Sequence, residues 1–236
     1  MTALTRFLLK SYTRKHAYFA PLAATLISMF ILYSYKPNPV MDSYAVTSVF
    51  LFIGSAWIAL SFLNHSSPQQ EQIHIIHIGN MRKYLLSQIL ALIVPVILCT
   101  FIFILYPIVT KMFGEPVQVH QLFLAISAHF VMGLLGITLA LFFQKAWMRN
   151  GTRATAVLVI LVIVSIGAKA ITGSLPDPLT WLIWVLPPVS PMMDSLLNSK
   201  TVPAPVAWGT VGYGIIYSLV LGFVYMLVSV RRDART

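Results

Sequence analysis

Six stretches of the chain are dominated by apolar residues: 18–35, 44–63, 86–110, 121–143, 154–172 and 206–230. A bilayer core of about 30 Å takes roughly 20 helical residues, so each stretch is long enough to cross. The pattern predicts an all-α integral membrane protein with six transmembrane helices in one domain spanning 1–236. The first seventeen residues follow a different rhythm. Leu4, Phe7, Leu8 and Tyr12 recur at helical spacing, with Arg6, Lys10 and Arg14 elsewhere. That spacing predicts an amphipathic helix lying on the membrane surface. No small-residue cleavage site follows 18–35, so it reads as a retained helix and not as a signal peptide.

Two polar interruptions break the rhythm. Residues 66–86, SSPQQEQIHIIHIGNMRKYLL, are too long for a turn and too polar for lipid. Pro68 should end the helix emerging from the second span, QQEQIHII should form about two helical turns, and Gly79-Asn80 is a stop signal. The second interruption, 173–205, holds seven of the fourteen prolines. Within it, WLIWVL is too short to span and is followed by Pro187 and Pro188. PMMDSLL, with Pro191 at its start, reads as another short helix. Two half-helices that dip into the outer leaflet fit this pattern, with Trp181 and Trp184 at the level of the aromatic belt. Asp194 is the acidic residue of the second one.

Composition supports the membrane class: 58% of residues are hydrophobic and 9% charged, against about a quarter charged in soluble domains. The six stretches contain one charged residue, Lys169, near the end of its run, where it can snorkel. Charge also sets orientation. With the N-terminus in the cytoplasm, only Lys36, Lys111, Lys169 and Lys200 of the sixteen basic residues lie outside. The positive-inside rule therefore predicts cytoplasmic N- and C-termini. The net charge of +10 follows from this asymmetry and suits anionic lipid. It is scattered over separate loops, which argues against a nucleic-acid partner. Cys99 is the single cysteine, so no disulfide framework forms within the chain.

Candidate chemistry is sparse. His74 and His77, three apart on a helix, would share one face, but only Glu71 stands near them as a further ligand, and a solvated helix accounts for them; no metal site is expected. His129, within the fourth span, is a candidate for the pathway or a neutral histidine bonded to a neighbouring helix. Gly136 with Ala140, and Gly209, Gly212, Gly214 and Gly222, offer small-residue packing stripes. Pro95 should kink the third span. The chain contains no GxSG or HExxH signature and no phosphate-binding GxxxxGK[ST] loop, so no catalytic residue is expected. Paired charges or an inverted repeat, which a secondary transporter would favour, are not evident either.

The stretch EQIHIIHIGNMRKYLLSQ resembles the coupling-helix region of type-2 ABC exporter permeases. That family follows a pattern like E-x-x-x-L-x-x-x-[PG]-x-x-R-x-x-x-L-x-[GS]-K. Glu71, Ile75, Gly79, Arg82, Leu86 and Ser87 stand in its order, with Gln88 where lysine is frequent and Gly79 where proline is frequent. The resemblance implies a surface helix before the first span, a cytoplasmic coupling helix between spans two and three, and external re-entrant half-helices between spans five and six. It also implies a division of labour. This chain would form the pathway for a peptide, lipid-like molecule or antibiotic, together with a second permease subunit, identical or related. A separate ABC ATPase would bind ATP and magnesium and grip Glu71, Ile73, His74, Ile75, Ile76, His77 and Arg82. The setting implied is a bacterial plasma membrane. A non-transporting immunity or sensor subunit on the same fold is the alternative reading.

Overall fold

The computed structural model describes residues 1–145, 147–148, 150–174, 176, 181 and 184–233. Among them every regular element is helical: α1 (Thr2–Arg14), α2 (Phe19–Leu32), α3 (Val40–Leu63), α4 (Pro68–Ile78), α5 (Met81–Val109), α6 (Val119–Ala140), α7 (Gly151–Ile166), α8 (Ala168–Thr172), α9 (Val189–Leu197) and α10 (Ala204–Asp233). A single turn of tighter helix, Leu141–Phe143, extends α6. Among the described residues four helices are long and apolar enough to cross a membrane: Val40–Leu63, Met81–Val109, Val119–Phe143 and Ala204–Arg231. A fifth arises if α1 and α2, bent by 83° at their junction, count as one span. The chain is a multi-pass membrane protein by these lengths and compositions.

The first and fifth predicted spans differ from expectation. The run 18–35 yields a helix of only 14 residues, α2. It begins after a corner where His16 adopts φ 54°, and it stops before the Lys36-Pro37-Asn38-Pro39 turn, since residues preceding proline avoid helical geometry. The run 154–172 is split at Gly167 into α7, of 16 residues, and α8, of five. Glycine is among the poorest helix formers, so the run can break there. At 1.5 Å per residue these helices measure about 21 and 24 Å. By contrast α5 continues unbroken through Pro95 and Pro107.

The core is built on the pairing of α3 with α6. A Cβ added at Gly136 would lie 2.4 Å from the Phe52 carbonyl oxygen and 2.9 Å from the Ala56 nitrogen. Glycine is required there because the two backbones touch. Gly133 receives the side chain of Val96 from α5, and Gly54 the side chain of Thr25 from α2. Tyr44, Phe52, Met132 and Leu135 fill the space between. The outer faces stay apolar: Leu98, Phe101 and Leu105 on α5 and Ile216, Leu219 and Phe223 on α10 are exposed. Lipid accepts such faces; water does not. Of the small residues on α10, Gly214 packs under Val131 and Met192, whereas Gly209, Gly212 and Gly222 face open space.

Candidate functional site

The polar interruption after α3 folds into a separately capped helix. Ser67 Oγ accepts from Gln70 N at 3.3 Å, and Gln70 Oε1 accepts from Ser67 N at 3.4 Å. This is a capping box, with Pro68 at the first helical position, where no amide proton is needed. The helix ends at Gly79, in the left-handed region with φ 65°. Its N–H reaches back to the Ile75 carbonyl at 2.9 Å. Asn80 then caps α5 by accepting from Lys83 N at 3.0 Å.

The eleven residues of α4 divide into two faces. Glu71, His74, Ile75 and Ile78 are half-buried, and Ile75 and Ile78 pack on the main core. Ile73 and Ile76 point the other way, 64% and 79% exposed, beside exposed Gln72 and His77. Arg82 is exposed in the first turn of α5. The structure thus separates residues that the sequence grouped together: His74 and His77 do not share an environment. His74 meets the Phe7 ring of α1 edge-on at 5.3 Å, with its Nδ1 buried and unbonded, while His77 faces outward. Among the described residues no three His, Cys, Asp or Glu side chains cluster as metal ligands.

Beneath α4 lies a polar layer that sequence reasoning missed. Burial pushes the Glu71 carboxyl from its ordinary 4.5 up to about 7. Tyr84, on α5, accepts from Gln88 Nε2 at 3.1 Å. Tyr225, on α10, accepts from Gln144 Nε2 at 2.7 Å and stacks on Trp147 at 5.5 Å. On the α1 side, Lys15 Nζ donates to the His65 carbonyl at 2.8 Å, and the His65 ring bonds Ser11 and the Phe62 carbonyl. Burial pushes the His65 imidazole down, opposed by the Phe62 bond, with the Lys15 charge adding to the downward effect. Tyr84 and Gln88, four apart at the polar start of an apolar run, were the available signal for this layer.

His129 lies in the interior of the chain, fully buried. Its Nδ1 donates to the Ala125 carbonyl at 2.7 Å, and its Nε2 is 2.9 Å from Thr47 Oγ1 on α3. Tyr44 and Phe103 close over it edge-on. These contacts tie α6 to α3.

In the proline-rich segment, 175, 177–180 and 182–183 lie outside the described residues, and with them part of the first expected half-helix. The second is α9. Trp181 and Trp184 are exposed, at 58% and 68%, and Pro187 and Pro188 are buried. The Trp184 and Val185 carbonyls accept from the hydroxyls of Tyr213 and Tyr217, at 3.1 and 2.7 Å. Ser195 Oγ is 3.0 Å from Thr210 Oγ1, and Met192 packs at Gly214. The pairing of 185 with 217, 192 with 214 and 195 with 210 runs α9 antiparallel to α10. Asp194 forms an ion pair with Lys169 at 2.7 Å, so Lys169 is held by a partner as well as by its position at the end of its run. The chain matches no protein-family model and no curated protein.

Proposed function

We propose that this chain is the transmembrane subunit of an ATP-driven ABC exporter of the type-2 class, in a bacterial plasma membrane with both termini cytoplasmic. The observation that carries the reading is α4: a short, independently capped helix between two spans, with two isoleucines turned outward and unpartnered. Exposed isoleucines on a polar connection are otherwise unfavourable, and a helix offered to a groove is anchored by such residues. On this reading Ile73 and Ile76, flanked by His77, enter the ATPase subunit. Glu71, His74 and Ile75 instead seat α4 on its own chain. A push on α4 would pass to α1 through Phe7 and to α5 through its first turn, as a rigid-body displacement. ATP and magnesium would be held by the partner.

Six crossings require α2 and α7 to span in addition to the four long helices. Local bilayer thinning is the physical means by which such short spans are accommodated. The external segment is read as re-entrant. Gly214, which receives Met192, is ten residues from the start of α10, about 15 Å in. The cargo is amphiphilic on this reading, in keeping with an apolar groove of about 460 Å³ between α3 and α7, lined by Trp57, Leu60, Leu158 and Val162. A second permease subunit, identical or related, would complete the pathway.

The test is co-purification with a candidate ABC ATPase subunit co-expressed with this chain. Ile73→Asp and Ile76→Asp should each remove ATPase binding at unchanged expression, because a carboxylate would be buried unpaired. Wild-type co-purification by both variants would overturn the assignment.

A further inference from the structure

At the end of the molecule opposite α1 and α4, the helix termini enclose a polar cavity of about 420 Å³. Three walls form it: residues 37–42 leading into α3, Gly114 and Glu115 with Gln121 at the start of α6, and residues 197–201 after α9. The export reading gives this cavity no role.

Its chemistry is selective. Asn38 is 3% exposed, and its backbone is pinned by bonds to the Met112 carbonyl and from the Gly114 amide, at 2.9 and 3.1 Å. Its Nδ2 donates to the Tyr35 and Met112 carbonyls, at 2.6 and 3.5 Å. The amide is therefore oriented, and its Oδ1 has no partner among the described residues. Asp42 and Glu115 line the same cavity, and neither belongs to an ion pair among the described residues. The chain carries six acidic residues against sixteen basic, and two of the six open on this one space. Lys111, on the same connection as Glu115, does not pair with it. The third wall contributes Lys200, also unpaired, with the hydroxyls of Ser199 and Thr201.

A primary ammonium has three N–H donors; two carboxylates and a fixed amide oxygen are three acceptors. A cation with two hydroxyls suits an anionic group beside that ammonium. We infer that this cavity binds a zwitterion: a primary ammonium next to a phosphate. A quaternary ammonium has no donors to offer, and among the described residues no aromatic lines the cavity to hold one by its ring face. The cavity lies at the helix termini, the level of lipid headgroups, which makes an aminophospholipid headgroup the favoured source. A soluble phosphoethanolamine-like solute is the other source of the same chemistry. The site stands on the membrane placement of the helices and is independent of the ATPase.

The experiment is native mass spectrometry of the full chain released from nanodiscs of equimolar phosphatidylethanolamine, phosphatidylcholine and phosphatidylglycerol. The chain should retain phosphatidylethanolamine about tenfold over phosphatidylcholine, the value of one charge-assisted hydrogen bond. Asp42→Asn with Glu115→Gln should erase the preference, and Lys200→Ala should weaken it. Glu115→Gln alone, at an exposed residue with no bond to lose, should reduce the preference even if the double variant is unstable. Titration with soluble phosphoethanolamine distinguishes the sources. Saturable binding that the double variant loses, without lipid preference, assigns the site to a free solute. Equal retention of the lipids with no phosphoethanolamine binding overturns the inference, as does a preference that survives both carboxylate substitutions. ATPase co-purification is read in parallel, so failure of either proposal leaves the other standing.

Discussion

Glu71 and His129 are the two ionisable residues whose surroundings decide what they do. The Glu71 carboxyl is half-buried, without an ion pair among the described residues, and its pKa rises from 4.5 to about 7. Between those values the folded chain holds a proton that the unfolded chain has released. The stability it contributes is complete below about 4.5 and is lost as pH rises through about 7. Glu71→Gln should therefore flatten this part of the stability profile, read as the thermal midpoint in detergent at pH 5.5 and 8. His65, pushed down, acts with the opposite sign, losing stability as pH falls, so the informative quantity is the difference between wild type and Glu71→Gln. His129→Leu should cost about 1–2 kcal/mol, the loss of a buried hydrogen bond, because Thr47 can still donate to the Ser43 carbonyl at 2.9 Å. A much larger loss, or a loss of transport with stability intact, would give His129 a further role.

At the scale of elements, α4 depends on its ends and on which face each residue occupies. Ser67→Ala removes the capping box and should cost about 1 kcal/mol. Ile75→Asp should behave unlike Ile76→Asp: it puts a charge against the core and should lower the chain's own thermal midpoint, whereas Ile76→Asp should change stability by no more than about 0.5 kcal/mol. Equal effects of the two on stability would mean that α4 does not sit as described. The α3–α6 contact makes a second contrast. Gly136→Ala places a methyl against backbone that cannot yield and should cost about 1–3 kcal/mol. Gly212→Ala and Gly222→Ala, facing open space, should be tolerated in the isolated chain.

For the whole molecule, charge and apolar length make a topological statement. A reporter fused at Ser199 should be external, and one at the C-terminus cytoplasmic. An external C-terminus means either an odd number of crossings or an inverted molecule. Loss of the crossing before α4, or inversion, would place α4 on the wrong side for an ATPase, whereas failure of α7 to cross would leave α4 where it is. The result also bears on the polar cavity, since residues 197–201 form one of its walls.

The membrane class and the four long helices were legible in the pattern of apolar runs. Apolar length is a requirement of the bilayer, so four of the six runs are long helices, close to the expected ranges. Helix-ending chemistry is local, so Pro68 and the Gly79-Asn80 pair marked the limits of α4 in the sequence, while the Ser67 capping box and the Asn80 cap of α5 came with the structure. The tertiary structure decided which way side chains face and which helices are short. Four isoleucines within six residues cannot all be buried, and only the packing of α4 on α5 and α1 selects Ile75 and Ile78. The termination of α2 and the break at Gly167 reflect turns and packing that hydropathy averages away. His129 was ambiguous because an intramembrane histidine reads the same whether it lines a path or bonds a neighbour. The position of Thr47, 82 residues away in sequence, supplies that bond. Asn38, Asp42, Glu115 and Lys200 come from distant loops, and a contact between loops has no period for a sequence to reveal; it exists once α3, α6 and α9 have packed.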